Sequence, residues 1–162
     1  MDLDIKNKLL IGRSEWCALP DLHIPAIKAK IDTGAKTSAI HAFDIQRFTR
    51  EEKEWVRFSL YPLRSRTDIS VKCEAMMYDE RHIMSSNGHK EHRYIILTSL
   101  RLGNTIQTIQ LSLSNRDPLT FRLLLGREAL AKRVLIDPST PYRQGIYKRA
   151  DIERLYSKIE ID

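Results

Sequence analysis

The chain reads as an all-β protein, a barrel or sandwich with few helices. Three observations predict this. Apolar and polar residues alternate at period two in several separate runs, turn-forming residues punctuate those runs, and helical periodicity is confined to two short stretches.

Ile27, Ala29 and Ile31 share one face of a strand whose other face carries Lys28 and Lys30. Val56, Phe58 and Leu60 repeat the pattern, as do Ile69, Val71, Cys73, Ala75 and Met77, and then Ile109, Leu111 and Leu113. Turn chemistry separates them at Leu19-Pro20-Asp21, Ser85-Ser86-Asn87-Gly88, Gly103-Asn104 and Asn115-Arg116-Asp117-Pro118. Good helix formers from Arg127 to Lys132 predict one short helix after Gly126. A second helix is predicted in the tail, over about 149–160, where Ile152, Leu155, Tyr156 and Ile159 fall at i, i+3, i+4 and i+7. That stripe must bury itself against the barrel or against a second chain. Asp137-Pro138-Ser139-Thr140-Pro141 reads as the linker between body and tail.

At 162 residues the chain is expected to form a single domain over 1–162, with its core at about 8–140. No stretch approaches the roughly 18 apolar residues that span a bilayer, and the acidic opening segment lacks a secretory apolar region, so a cytoplasmic, non-membrane protein is expected. Cys17 and Cys73 are expected to be free thiols. The net charge of +6 favours acidic partners, but aromatics are only 7% of the chain and are not interleaved with the cations, which argues against nucleic acid.

The chemistry centres on Asp32-Thr33-Gly34-Ala35, which places a carboxylate on a turn as the Ile27–Ile31 run ends. Far downstream, Leu124-Leu125-Gly126-Arg127 brings another apolar strand into a glycine turn. Gly34 allows a sharp turn and an approach path free of side chain. Two such loops meeting at a two-fold axis would set two carboxylates about 3 Å apart, unable to ionise together and sharing one proton. Taken alone, Asp-Thr-Gly is also compatible with being a turn and nothing more. No Gly-x-Ser-x-Gly elbow is present, so activated water is the only hydrolytic mechanism with a visible centre.

The segments Lys30-Ile-Asp-Thr-Gly-Ala-Lys-Thr-Ser-Ala-Ile-His41-Ala42, Ser85-Ser86-Asn87-Gly88-His89-Lys90-Glu91 and Leu123-Leu-Leu-Gly-Arg-Glu-Ala-Leu130 together resemble the bacterial retropepsin-like aspartic endopeptidases, a family also labelled "ATP-dependent zinc protease". The resemblance implies an acid-protease barrel, closed or half-closed, with a flap hairpin. It implies a homodimer with Asp32 as the catalytic carboxylate of each chain. Thr33 becomes the cross-dimer hydrogen-bonding residue, with Gly34 and Ala35 completing the loop. Ser85, Ser86, Asn87 and Gly88 become the flap over a protein or peptide substrate, with Gly126 and Arg127 as structural support. Family members occur alongside enzymes that add glutamates to a ribosomal protein, which makes glutamylated tails of that protein a substrate to expect.

Many retropepsins carry an acid two residues after the glycine, paired with the arginine of the Gly-Arg element. Here Lys36 stands at that position, so either Glu128 bridges Lys36 and Arg127 or Arg127 turns elsewhere. The label's zinc and ATP find no support: there is no His-Glu-x-x-His motif and no phosphate loop, so no cofactor and no metal are expected. His89 and His92 read as polar flap residues, and His41 as a hydrogen-bonded core histidine or, less simply, a ligand or base. The competing reading is a non-catalytic binding module on the same fold that recognises an acidic protein partner.

Overall fold

A computed structural model describes residues 4–64, 66–84, 87–115 and 120–159. Its strands are β1 (Leu9–Ile11), β2 (Ser14–Leu19), β3 (Ile24–Ile31), β4 (Ser38–His41), β5 (Phe43–Arg50), β6 (Lys53–Leu60), β7 (Val71–Met84), β8 (Lys90–Leu102), β9 (Thr105–Ser114), β10 (Leu123–Leu125) and β11 (Val134–Ile136). The helices are α1 (Arg127–Leu130) and α2 (Arg149–Ser157). The all-β, barrel-like class expected from the alternation is the one observed.

Strands β2, β3, β10, β4, β9 and β8 follow one another, and β8 returns to β2 through Cys17–Leu102 and Ala18–Arg101, closing a ring. Closure removes the unpaired edges an open sheet would present. Strand β8 also carries β7 on the same edge, pairing from Lys90 to Ile96, and β6 and β5 continue outward from β7. The register of β7 slips between Met77 and Asp79, a bulge of the kind that bends a strand as it leaves a barrel. Two further strands, β1 and β11, pair in parallel as a separate ribbon.

The period-two runs place their apolar faces as expected. Ile27, Phe58, Leu60, Leu111 and Leu123 are fully buried, and Val71 and Cys73 join the same core. Along β7 the alternation persists but burial fades, with Ala75 and Met77 only half-buried. The strand therefore starts in the core and ends as an arm over the surface. Cys17 and Cys73 are both free and buried; burial pushes both thiols up, Cys73 to about 12.

Two elements depart from expectation. The helix after Gly126 ends at Leu130, because Ala131 has already left helical geometry at ψ 135°. The 137–141 segment is no free linker: Asp137 N–H donates to the Ile11 carbonyl at 2.9 Å, and Arg13 N–H to the Thr140 carbonyl at 2.9 Å. Just beyond it, Arg143 and Gln144 N–H groups donate to the carboxylate of Glu15 at 2.9 and 3.0 Å, and Gly12 N–H adds a third bond at 2.7 Å. Glu15 is fully buried, so this carboxylate pins the chain's return onto the barrel. The tail helix then lays Ile152 and Tyr156 on the barrel, where the Tyr156 hydroxyl donates to the Ala26 carbonyl. The partner of the apolar stripe is thus the chain's own barrel. Among the described residues, no helix is long and apolar enough to cross a membrane.

Candidate active site

Strands β3 and β10 run parallel, pairing Leu125 with Ile31, and both end at the same place. The Asp32 N–H still donates to the Leu125 carbonyl at 2.9 Å, which fixes where the turn begins. Within the turn, Asp32 Oδ1 accepts the Gly34 N–H at 2.9 Å and the Asp32 carbonyl accepts the Ala35 N–H at 3.3 Å. Asp32 Oδ2 has no hydrogen-bond partner among the described residues, and the side chain is only half-buried. Asp32 thus has one oxygen held and one available.

The 32–37 loop is fastened to the start of α1. Arg127 N–H donates to the Ala35 carbonyl at 2.7 Å and Glu128 N–H to the Lys36 carbonyl at 3.1 Å, while buried Ser38 accepts the Gly126 N–H at 3.1 Å. Gly126 is required by this approach: a Cβ there would lie 2.8 Å from the Ala35 carbonyl oxygen and 2.9 Å from the Thr37 carbonyl carbon. Gly34 lies in the turn without needing left-handed backbone. Its φ is not positive, and a Cβ at that position would sit 3.1 Å from Asp32 Oδ1. The glycine keeps the space beside the carboxylate open.

The choice left open at Lys36 is settled by geometry. Glu128 reaches Lys36 at 3.8 Å, and Arg127 turns away to donate to the Thr33 carbonyl at 3.0 Å. Each cation therefore finds its own oxygen. Thr33 itself is exposed, at the rim of the loop.

An open cleft of about 820 Å³ lies between the Asp32 loop and the arm of β7 and β8. From the arm come Arg81, His82, Met84 and Arg93; from β9 come Gln110 and Ser112. Arg81 and Arg93 stand directly opposite each other in the strand register. Like charges so placed repel. Each is balanced by an acid two residues along its own strand: Asp79 lies 2.6 Å from Arg81, and Glu91 lies 2.7 Å from Arg93. The Arg81 guanidinium holds the Asp79 carboxyl below its ordinary value. Arg81 also donates to Gln110 at 2.9 Å, tying the arm to β9 across β8.

Of the residues expected to form the flap, Asn87 and Gly88 are exposed near the end of the arm, with Gly88 at φ 84°; Ser85 and Ser86 lie outside the described residues. The last described strand pair is Met84 with Lys90. His92 pairs with Glu80 at 2.6 Å and contacts the rings of His82 and Tyr94, while His89 lies exposed beyond them. No three His, Cys, Asp or Glu side chains gather as a metal site among the described residues. His41 is half-buried at the end of β4, its Nδ1 3.4 Å from Arg122.

Arg81, Arg93, Gln110 and Ser112 line the cleft without having been singled out from sequence. A signal for two of them existed. Arginines at 81 and 93, each two residues from an acid, lie on opposite sides of the Asn87-Gly88 turn, where a hairpin must bring them together.

Residues 10–146 match the family model described as the retropepsin-like aspartic endopeptidase RimB. A protein named "Probable alpha-L-glutamate ligase" from Shewanella pealeana is 45% identical over 150 residues, covering 93% of this chain and 33% of that protein. One of the same name from Desulfotalea psychrophila is 46% identical over 160 residues, covering 99% of this chain and 34% of its own. The chain therefore spans about a third of the length of these curated relatives. The crystal structure of Lpg0085 from Legionella pneumophila, described as of unknown function, superposes with a TM-score of 0.71 at 26% identity, covering 83% of this chain and 97% of that one. The loop built on Asp32, the Gly126 junction and the match over 10–146 agree: the chain belongs to the RimB-like family of retropepsin-like aspartic endopeptidases.

Proposed function

We propose that the chain is an aspartic endopeptidase that works as a homodimer, with Asp32 of each copy forming the catalytic pair. The observation that carries this reading is the asymmetric state of Asp32, which lines an open cleft with Oδ1 held by Gly34 N–H and Oδ2 unbonded among the described residues. Two such carboxylates facing each other share a proton. One takes a proton from water as it attacks the peptide carbonyl, and the other gives its proton to the carbonyl oxygen. The pair titrates as a unit. In this dimer Thr33, exposed at the rim of the loop, would bond across the two-fold axis.

The substrate class we propose is an acidic or glutamylated protein tail, including that of a glutamylated ribosomal protein. Lys36, Arg81 and Arg93 on the cleft walls support it, as do relatives named for glutamate ligation that carry a matching segment. The non-catalytic reading keeps one specific support, that each chain supplies only one Asp-Thr-Gly loop.

The test is light scattering across concentrations, joined to cleavage of glutamylated peptides by wild type and Asp32→Asn. A dimer whose cleavage vanishes in the variant supports the peptidase. A strict monomer, or a variant that cleaves as well as wild type, refutes it and leaves the binding module.

A further inference from the structure

A second cavity, of about 290 Å³, opens beside α2 and is lined by cations and rings: Lys28, Arg64, Arg122 and Arg149 with Trp16 and Tyr142. No carboxylate lines it among the described residues. Arg66, also at its wall, is already engaged by Asp68 at 2.9 Å and Glu153 at 2.7 Å. Lys28, Arg64, Arg122 and Arg149 have no ion-pair partner among the described residues. The Lys28 ammonium instead stands 5.2 Å from the Trp16 ring and 5.6 Å from that of Tyr142. Arg122 Nε is buried with no hydrogen-bond partner among the described residues. A partly buried guanidinium without a countercharge is costly, and an oxyanion bound in the cavity supplies one.

The cavity and the Asp32 cleft lie on one face of the sheet. Leu124 lines the cleft. Arg122, two residues earlier and just before β10, still pairs with β4, because its carbonyl accepts the His41 N–H at 2.9 Å. That extends the pleat and puts Arg122 on the same side, about 7 Å away. Ala39 on β4 lines the cleft, and His41, two residues on, contacts Arg122. On β3, Lys30 is in register with Leu124, and Lys28 is the next residue on that face. The cations Lys36, Lys30 and Lys28 therefore mark a path from cleft to cavity.

We propose that this cavity is a distal anion-binding subsite that takes the carboxylates of an acidic peptide segment running out of the Asp32 cleft along β3 and β10. The choice of a peptide rests on the function proposed above, whereas the anion site itself does not. An extended peptide advances about 3.3 Å per residue, so about two residues of it separate the positions of Leu124 and Arg122. A glutamate-rich segment offers a carboxylate at every step, and long chains gain from both sites at once.

The experiment uses an Asp32→Asn, Trp55→Phe background, in which Trp16 is the sole tryptophan and no turnover intrudes. Diglutamate, octaglutamate and inorganic phosphate are titrated while Trp16 fluorescence and calorimetric binding are followed. Octaglutamate is expected to shift Trp16 emission and to bind about tenfold more tightly than diglutamate. Arg122→Gln is expected to remove that advantage; Lys28→Gln, at an exposed residue, makes the same test should Arg122→Gln misfold. Octaglutamate binding with Trp16 silent, or a length advantage that survives Lys28→Gln, overturns the proposal. So does phosphate binding at Trp16 that octaglutamate cannot displace. In the Asp32 protein, octaglutamate sensed by Trp16 without cleavage refutes the peptidase and leaves the subsite standing; cleavage with Trp16 silent does the reverse.

Discussion

Two carboxylates near one end of the barrel have opposite fates. Glu15 is fully buried and accepts three backbone N–H groups, from Gly12, Arg143 and Gln144. Asp32 is half-buried and accepts one, from Gly34. A carboxylate has about four lone-pair positions. Saturating most of them with amides that cannot leave makes Glu15 a structural clamp. Leaving one oxygen of Asp32 open, on a loop whose backbone is fixed from both sides, makes a carboxylate that is held in place yet able to react. Available lone pairs, more than the residue type, separate the two roles.

The largest effect expected tests the open carboxylate. Asp32→Asn should lower cleavage of glutamylated peptides by about 1000-fold or more while the melting temperature stays within a degree or two of wild type. The clamp should behave in the opposite way. Glu15→Ala leaves three amide donors facing a buried void and should cost about 3 kcal/mol or more, read as a shift in denaturant midpoint. Cleavage per folded molecule should persist. If Glu15→Ala instead leaves stability unchanged, the strap at 137–144 is not held by this carboxylate. Gly126→Ala couples the two properties, because its Cβ would press on the Ala35 carbonyl oxygen at 2.8 Å and displace the loop that carries Asp32. A loss of about 1–3 kcal/mol together with lost cleavage is expected. Gly34→Ala meets, among the described residues, only the Asp32 side chain, at 3.1 Å, and should affect cleavage more than stability.

These contrasts also explain what the sequence could reveal. The Asp32 and Gly126 elements are local: a carboxylate, a glycine and an apolar strand adjacent in the chain announce their own geometry. Strands β3, β6 and β9 were legible because their burial alternates with the pleat. Glu15 was invisible, since an acid between Ser14 and Trp16 looks like any surface residue, and two of its donors are backbone amides 128 and 129 residues away. Backbone donors leave no mark on composition. For the same reason, 137–141 read as a linker from its prolines, although its amide and carbonyl groups dock it to Ile11 and Arg13. The outer arm was half-legible: alternation shows that β7 is a strand but not where it leaves the core.

The smallest expected effect separates the arm from both carboxylates. Glu74, on the outward face of β7, lies 2.8 Å from Arg50 and 3.2 Å from Arg57, and these guanidinium groups, Arg50 foremost, hold its carboxyl below its ordinary value of 4.5. A folded-state value below the unfolded one means that Glu74 contributes fully at pH above 4.5 and loses its contribution as pH falls through the lower folded-state value. Wild type should therefore lose stability below about pH 4.5, and Glu74→Gln should show a slightly shallower decline over that window. Salt should shrink the difference, because the pairs are exposed and screened. The same substitution should leave the Glu15 clamp and the Asp32 loop untouched, since Glu74 contacts neither. A Glu74→Gln variant that melted as readily as Glu15→Ala would mean that the arm and the barrel unfold as one cooperative unit. A shallow, salt-sensitive change would mean that the arm, with the roof of the cleft at its end, can loosen while the barrel and Asp32 stay in place.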